Sequence, residues 1–325
     1  MRCLVTGASG LVGGRLARLL VARRHTVRCL VRSHSRTDHL SCLPIEYVRG
    51  DVTQPESLAA AVDGVDWVFH AAGLIKARDA DEFRRINAGG TGNLLEACAR
   101  RERPPEAVVV VSSLAAAGPS RDGHPVSEDE RPRPISSYGR SKLEAERIAE
   151  TYGDRLRVAI IRPPAVYGPG DRETLALFRI AALGIAPRLV SRQDLSLVHV
   201  DDLARGLIAA AERAPACTRV YNIAHPEVIP IAELTRLMAE SVGRAPVVVP
   251  VPRSAMLLIA AAFDLDKRLR GKTHVFDSEK PLDFAQRGWV CSTDRAREEL
   301  GFEAVIDVRR GIAETGAWYR ENGWL

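Results

Sequence analysis

Residues 2–24 read RCLVTGASGLVGGRLARLLVARR, and this stretch decides the fold. Arg2 to Thr6 is a short apolar run, the pattern of a buried strand. Gly7-Ala8-Ser9-Gly10-Leu11-Val12-Gly13 follows as a G-x-x-G-x-x-G turn, and a helical apolar pattern runs on through Arg24. Strand, glycine turn and helix in this order form a phosphate-binding device. The glycines let the backbone turn tightly and approach a pyrophosphate, while the helix N-terminus offers free N–H groups and positive potential.

Outward from that turn, apolar runs and helical patterns alternate. Strands are expected at Thr26–Val31, Ile45–Val48, Val65–His70, Ala107–Val111 and Arg157–Ile161. The run AVVVV at 107–111 is apolar throughout, as in a parallel sheet covered on both faces. The expected fold class is α/β: a doubly wound parallel-sheet Rossmann domain with a smaller C-terminal substrate-binding part. Residues 1–165 form the dinucleotide-binding domain, and 195–225 return to it. Residues 166–194 and 226–325 form the substrate-binding part.

In dinucleotide folds the residue just past the second strand meets the adenosine ribose, where an acid suits a 2′-OH and a base a 2′-phosphate. Here that residue is Arg32, with Arg36 nearby and no acid before Asp38. NADP(H) is therefore expected over NAD(H). Asp51 ends the third strand, followed by Val52. The small residues Ala71, Ala72 and Gly73 end the fourth, where a cofactor can lie against the backbone. His70 is expected to pack at the strand end. A helical stretch from Asp81 to Arg103 carries Asn87 and several glycines, which cost about 1 kcal/mol each in a helix interior and call for close packing or a ligand. Ser112 and Ser113 close the fifth strand, at the carboxyl edge where ligands bind such sheets.

The segment Ser136-Ser137-Tyr138-Gly139-Arg140-Ser141-Lys142 opens another helix and sets a phenol and an amine four residues apart. Such side chains share one helix face. An ammonium beside a phenol favours the phenolate and draws its pKa toward a working range for acid–base catalysis.

Composition limits the alternatives. The chain has 325 residues, 46% hydrophobic and 27% charged, with a formal net charge of +5. These are values of a globular protein. The basic residues are scattered, so no nucleic acid partner is expected. Six cysteines show no CxxC pairing, and Cys3, Cys29 and Cys98 lie in apolar runs, where a thiol acts as a small buried hydrophobe. No metal site is expected. Nothing resembles a leader ahead of the first strand, and the apolar run Met256–Phe263 is far shorter than the roughly 20 residues of a membrane span. A cytoplasmic location is expected.

The ordered motifs TGASGLVGG, GDVT, HAAG, NAGGTGNLLEAC, VVVSSLAAAG, SSYGRSKLEAE, RPPAVYGPGD, SLVHVDDLARG and YNIA resemble the extended branch of the short-chain dehydrogenase/reductase superfamily, the NAD(P)-dependent epimerase/dehydratase family. They cover Met1 to about Ala224. The resemblance implies that Tyr138 donates or accepts the proton, that Lys142 holds the nicotinamide ribose and lowers the Tyr138 pKa, and that Ser113 bonds the substrate oxygen. It places Asn87 near the cofactor ribose or a proton-relay water. It implies that Gly7, Ser9, Gly10, Leu11, Val12, Gly13, Arg32, Asp51, Val52, Ala71, Ala72, Gly73, Pro163 and Val166 line the dinucleotide, with Tyr138 and Lys142. The two long helices near Asp81–Arg103 and Ser137–Tyr152 would pair in a homodimer. In the HVDD segment, Asp201 is expected to cap the next helix with His199 packed beneath.

Two departures bear on the substrate. Relatives that act on sugar nucleotides carry an Asn where Ala165 stands and an Arg where Leu195 stands, both of which address the diphosphate. With both gone, RPPAVYGPGD looks closer to dihydroflavonol reductases and 3β-hydroxysteroid dehydrogenases. The expected activity is NADP(H)-dependent interconversion of a hydroxyl and a ketone on a small or lipophilic substrate. Arg179, Arg188 and Arg192 are candidates to replace the lost charge, which keeps a sugar-nucleotide epimerase, dehydratase or reductase as the alternative. A non-catalytic dinucleotide-binding protein is the alternative of another class. The apolar stretch Ala255–Phe263 is read as ordinary packing, with a lipophilic pocket wall or a membrane-surface contact as its other readings.

Overall fold

The structure, a computed structural model, describes residues 1–121, 124–189, 193–251, 286 and 288–325. The apolar stretch 255–263 and Arg192 lie outside them. The elements run β1 (Arg2–Thr6), α1 (Leu11–Ala22), β2 (Thr26–Val31), β3 (Ile45–Arg49), α2 (Ala59–Val62), β4 (Trp67–His70), α3 (Ala80–Phe83), a π-helical turn (Arg84–Gly89), α4 (Gly90–Ala99), β5 (Ala107–Val111), α5 (Leu114–Ala117), α6 (Ser137–Glu150) and β6 (Val158–Arg162). Then come β7 (Ala165–Tyr167), α7 (Leu175–Ala182), β8 (Ile185–Leu189), β9 (Asp194–His199), α8 (Val200–Arg213), β10 (Arg219–Asn222), β11 (Val228–Pro230), α9 (Ile231–Ser241), β12 (Val247–Val251), β13 (Gly288–Trp289), α10 (Asp294–Leu300) and α11 (Val308–Glu321).

Seven strands form one sheet in the order β10-β6-β5-β4-β1-β2-β3, every pair parallel. The order 3-2-1-4-5-6 is that of a doubly wound dinucleotide-binding fold, here extended by β10. Alternate strand residues feed opposite cores. Cys3, Val5 and Val109 face a cluster with Leu16 and Leu20 of α1 and Leu203 and Leu207 of α8. Leu4, Val108 and Val110 face one with Leu94 and Leu95 of α4 and Ala149 of α6. Both faces are covered, which is why β5 is apolar at every position. Cys3, Cys29 and Cys98 are buried, and burial pushes their thiols up to about 12.

A third core gathers Tyr167, Phe178, Leu197, Leu237, Ile312 and Tyr319 beside the main sheet. A second small sheet, β7 with β9, β11 and β13, lies on this side. Ala165 pairs with Leu197, and Leu195 with Ile229, so the two residues that depart from the sugar-nucleotide pattern share one small sheet. His199 caps α8 itself, its Nδ1 accepting from Asp201 N at 3.3 Å, while Asp201 pairs with Arg15 of α1. The sequence assigned that cap to Asp201. The cap falls two residues earlier, and the carboxylate is free to join α8 to α1.

Candidate active site

Because the main sheet is parallel, the residues that follow its strands gather along one edge. The glycine turn follows β1, Arg32 follows β2, Asp51 lies just past β3, Ala71 to Gly73 follow β4, Ser113 lies past β5, and Pro163 follows β6. This is the carboxyl edge, where crevices of such sheets take their ligands.

The glycines divide the work of the turn. Gly7 has φ +75°, and a Cβ there would lie 2.6 Å from the Ala71 carbonyl and 2.7 Å from Ala72 N. A Cβ on Gly13 would lie 2.4 Å from Gly7 O. These two bring the turn against β4 and close it on itself. A Cβ on Gly10 would meet only Gly7 O at 3.3 Å, so that side of the turn is open. Gly10 caps α1 with no side-chain bond, and the first turn holds no acid. The uncapped N–H groups beside Ser9, Leu11 and Val12 suit a diphosphate, which is the fit a dinucleotide needs.

Arg32 is exposed, its backbone N donating to Ser35 Oγ at 3.0 Å. Burial works to raise the Asp51 carboxyl, but bonds from Thr53 and the charges of Arg32 and Arg85 outweigh it and hold the group below the ordinary range. Both guanidinium charges therefore act on the Asp51 side of the crevice. Val52 is buried under Gly90, whose Cβ would lie 2.7 Å from Val52 Cγ2. Val166 packs in β7 against the core under α1 and α8.

At the other end, Ser113 caps α5. Its Oγ accepts from Ala115 N at 3.1 Å, and its hydroxyl favours the ionised Tyr138 phenol. Gly139 permits this approach: a Cβ there would lie 2.3 Å from Ala115 O. Ser136 starts α6 by accepting from Gly139 N at 3.1 Å, and the Tyr138 ring lies tilted at 55° against Phe83, ring centres 5.8 Å apart. Lys142 is buried and donates to Val111 O at 2.6 Å. Burial lowers its pKa to about 8, with the Glu146 charge opposing. Burial also raises the Tyr138 phenol, opposed by the Ser113 bond. The expected downward pull of Lys142 on Tyr138 does not dominate in this structure, because the ammonium is directed at the Val111 carbonyl.

Asn87 is 1% exposed. Its Oδ1 accepts from Leu74 N at 2.7 Å, and its Nδ2 donates to Leu74 O and Ser141 Oγ, both at 3.0 Å. The amide thus ties the loop after β4 to α6, and the π turn at Arg84–Gly89 sets its direction. The sequence suggested one unbroken helix here; an extra residue in one helical turn leaves no mark on apolar periodicity. His70 sits between Thr6 Oγ1 at 2.8 Å and Thr91 Oγ1 at 3.0 Å, and burial lowers its pKa to about 3. It is a neutral packing residue, as expected. Sequence reasoning missed Gly139, Ser141 and Glu146. The visible signal for Glu146 was its place four residues past Lys142 and eight past Tyr138, on one helix face.

Among the described residues no group of three or more His, Cys, Asp or Glu is placed to hold a metal ion, and no helix is long and apolar enough to cross a membrane.

The sequence model of the NAD dependent epimerase/dehydratase family matches residues 3–224. The chain is 32% identical to a ceramide reductase of Caulobacter vibrioides, over 99% of this chain and 95% of that protein. It is 33% identical to a 3 beta-hydroxysteroid dehydrogenase/Delta 5-->4-isomerase of Mycobacterium tuberculosis, over 98% of this chain and 90% of that protein. Among solved structures it is similar to MoeE5 in complex with UDP-glucuronic acid and NAD, with TM-score 0.77 and 27% identity, covering 99% of this chain and all of that one. The chain belongs to the NAD dependent epimerase/dehydratase family, the extended branch of the short-chain dehydrogenases/reductases, and is an NAD(P)-dependent enzyme.

Proposed function

We propose that the protein is an NADP(H)-dependent oxidoreductase that interconverts a hydroxyl and a ketone on a lipophilic substrate. The observation that carries this reading is the grouping of Ser113, whose hydroxyl acts on the Tyr138 phenol, Tyr138 itself and buried Lys142 one turn on at the carboxyl end of β5. When bound, the nicotinamide gives or takes the hydride. Tyr138 Oη gives a proton to the carbonyl oxygen in reduction and takes it back in oxidation. Ser113 Oγ steadies the developing alkoxide. Lys142 supplies positive charge beneath them. Asn87 positions the loop after β4 and α6 relative to each other. Gly7, Ser9, Gly10, Leu11, Val12 and Gly13 hold the diphosphate; Arg32, Asp51 and Val52 line the adenosine end; Ala71 to Gly73, Pro163 and Val166 flank the nicotinamide half. Residues 166–194 and 226–325 shape the substrate side.

The lipophilic substrate is supported by the relatives' names, which specify a ceramide and a steroid, and by Ala165 and Leu195, which stand where diphosphate-binding side chains are expected. A sugar nucleotide is the second reading, favoured by the likeness to MoeE5 with bound UDP-glucuronic acid. The deciding experiment incubates the protein with NADPH and either a 3-ketosteroid or a long-chain 3-oxo lipid, and in parallel with UDP-sugars. NADPH consumption with a lipid ketone, without thermal protection by UDP-sugars, is expected. UDP-sugar protection without NADPH consumption overturns the first reading. In the same assay Arg32→Ser should weaken NADPH binding by about tenfold or more, the loss of one charge-assisted contact, and leave NADH nearly unchanged. Equal effects on both cofactors sink the role given to Arg32.

The same reading carries a homodimer through α4 and α6, which pack side by side and bear surface charges such as Glu96 and Arg147. Sedimentation at micromolar concentration should give twice the chain mass; a monomer overturns it.

A further inference from the structure

Behind Tyr138 and Lys142, α6 carries a third polar side chain on the same face. Glu146 lies one turn past Lys142 and is 1% exposed. Arg162, the last residue of β6, grips it with both ends of the fork: Nε to Oε1 at 2.9 Å and Nη2 to Oε2 at 2.6 Å. The Ser112 hydroxyl also donates to Oε1. Ser112 follows Val111, whose carbonyl takes the Lys142 ammonium. Lysine and glutamate are thus fastened to consecutive residues of one strand end. A buried ion pair is a weak stabiliser, because desolvation offsets most of the attraction and an apolar pair of the same size often does as well. Stability alone does not account for this one, set directly behind the proton-transfer pair.

We propose that Glu146, clamped by Arg162 and Ser112, is a positioning residue for Lys142: it fixes the direction and charge of the ammonium beneath Tyr138. The proposal rests on the functional reading above. The other groups around Lys142 leave this task to Glu146. On its own helix Tyr138 shares this face, while Arg140, Arg147 and Glu150 are exposed and Glu144 is paired with Arg84. From β4 comes His70, which is neutral. From β5 come the Val111 carbonyl and the Ser112 and Ser113 hydroxyls. The π turn and α4 give the uncharged Asn87 and Thr91, and α5 has no titratable side chain. From β6 comes Arg162, whose charge is met by Glu146 itself. Of the remaining charges of the elements packed on α6, Arg85 of the π turn acts on Asp51, and surface pairs join Arg84 to Glu144 and Asp81, Arg78 to Glu82, and Glu96 to Arg100 and Arg155. Burial lowers Lys142 while the Glu146 carboxylate opposes the shift, so removing that charge lowers the lysine further.

The first arm of the test, a titration, needs no substrate. The chain has five lysines, so the Lys142 ε-carbon can be followed by NMR in protein with labelled lysine and assigned with Lys142→Arg. In Glu146→Gln its titration should move to lower pH by about half a unit to one unit. Glu146→Gln leaves a buried guanidinium without its partner, so the double variant Glu146→Gln/Arg162→Gln, which keeps a neutral pair of similar shape, serves as the foldable control. It should move the titration the same way. Glu146→Asp, which keeps the charge, should restore most of it. The alkaline limb of NADPH-dependent reduction of the 3-ketosteroid probe should shift in step. An unmoved Lys142 titration in the double variant overturns the proposal, as does a moved titration with an unmoved alkaline limb. Failure of the functional reading is separate: it would appear as turnover in a variant that lacks the Tyr138 hydroxyl.

Discussion

Tyr138→Phe should lower kcat by two to four orders of magnitude, roughly 10²- to 10⁴-fold, the range that a positioned general acid or base contributes. The substitution is clean. Phenylalanine keeps the ring against Phe83, 5.8 Å away, and removes only the hydroxyl that Ser113 meets. Melting temperature and NADPH affinity should therefore stay close to wild type, and the loss should fall on kcat. The pH profile adds a second reading. Burial raises the phenol, so Tyr138 is protonated at neutral pH and ready to donate in reduction. Oxidation needs the phenolate, so its rate should climb as pH rises toward the raised phenol, above the range near 8 where Lys142 titrates. The Phe variant should lose that dependence. Turnover that survives the substitution would remove Tyr138 from the chemistry.

How much of this was legible in the sequence follows from the range of the interactions. β1, β2 and β5 have the bounds that apolar runs and turn residues suggest, because buried parallel strands are apolar on both faces. The cofactor edge was legible for the same reason: parallel strands put every strand end on one side. β7, β8, β11 and β13 were not legible as strands. They have two to five residues each, and their partners lie at least 30 positions away, so neither length nor periodicity marks them. Within the site, Tyr138 and Lys142 could be found by spacing. Their titration could not, because it depends on burial and on the Val111 carbonyl that turns the ammonium aside. The role of Asn87 depends on the π turn, whose extra residue is invisible to a period of 3.6.

The glycine turn offers the sharpest separation of fold from binding. Gly13→Ala should destabilise the protein by roughly 3 kcal/mol, the upper part of the usual overpacking range. Its Cβ would lie 2.4 Å from Gly7 O, 2.7 Å from Gly7 C and 3.0 Å from Ala8 N. All three are backbone atoms, so no rotamer change relieves the contact; either α1 retreats from β1 or the turn opens. Both faults also move the N–H groups that would hold the diphosphate, so cofactor affinity should fall with stability. Gly10→Ala should behave differently. Gly10 has φ −92° and ψ 174°, open to any residue, and its Cβ meets only one atom, at 3.3 Å. Stability should fall by only about 1 kcal/mol, the low end of the overpacking range, because that one backbone oxygen must give by a few tenths of an ångström. The methyl group, however, stands on the open side of the turn. Holding the diphosphate off one backbone N–H removes a charge-assisted bond of about 1.5–3 kcal/mol, a loss of roughly 10- to 100-fold in affinity. Thermal unfolding and cofactor titration of the two variants test both halves. If Gly10→Ala binds NADPH as tightly as wild type, the diphosphate does not lie on the open face of this turn, and the placement of every cofactor contact from Ser9 to Gly13 falls with it.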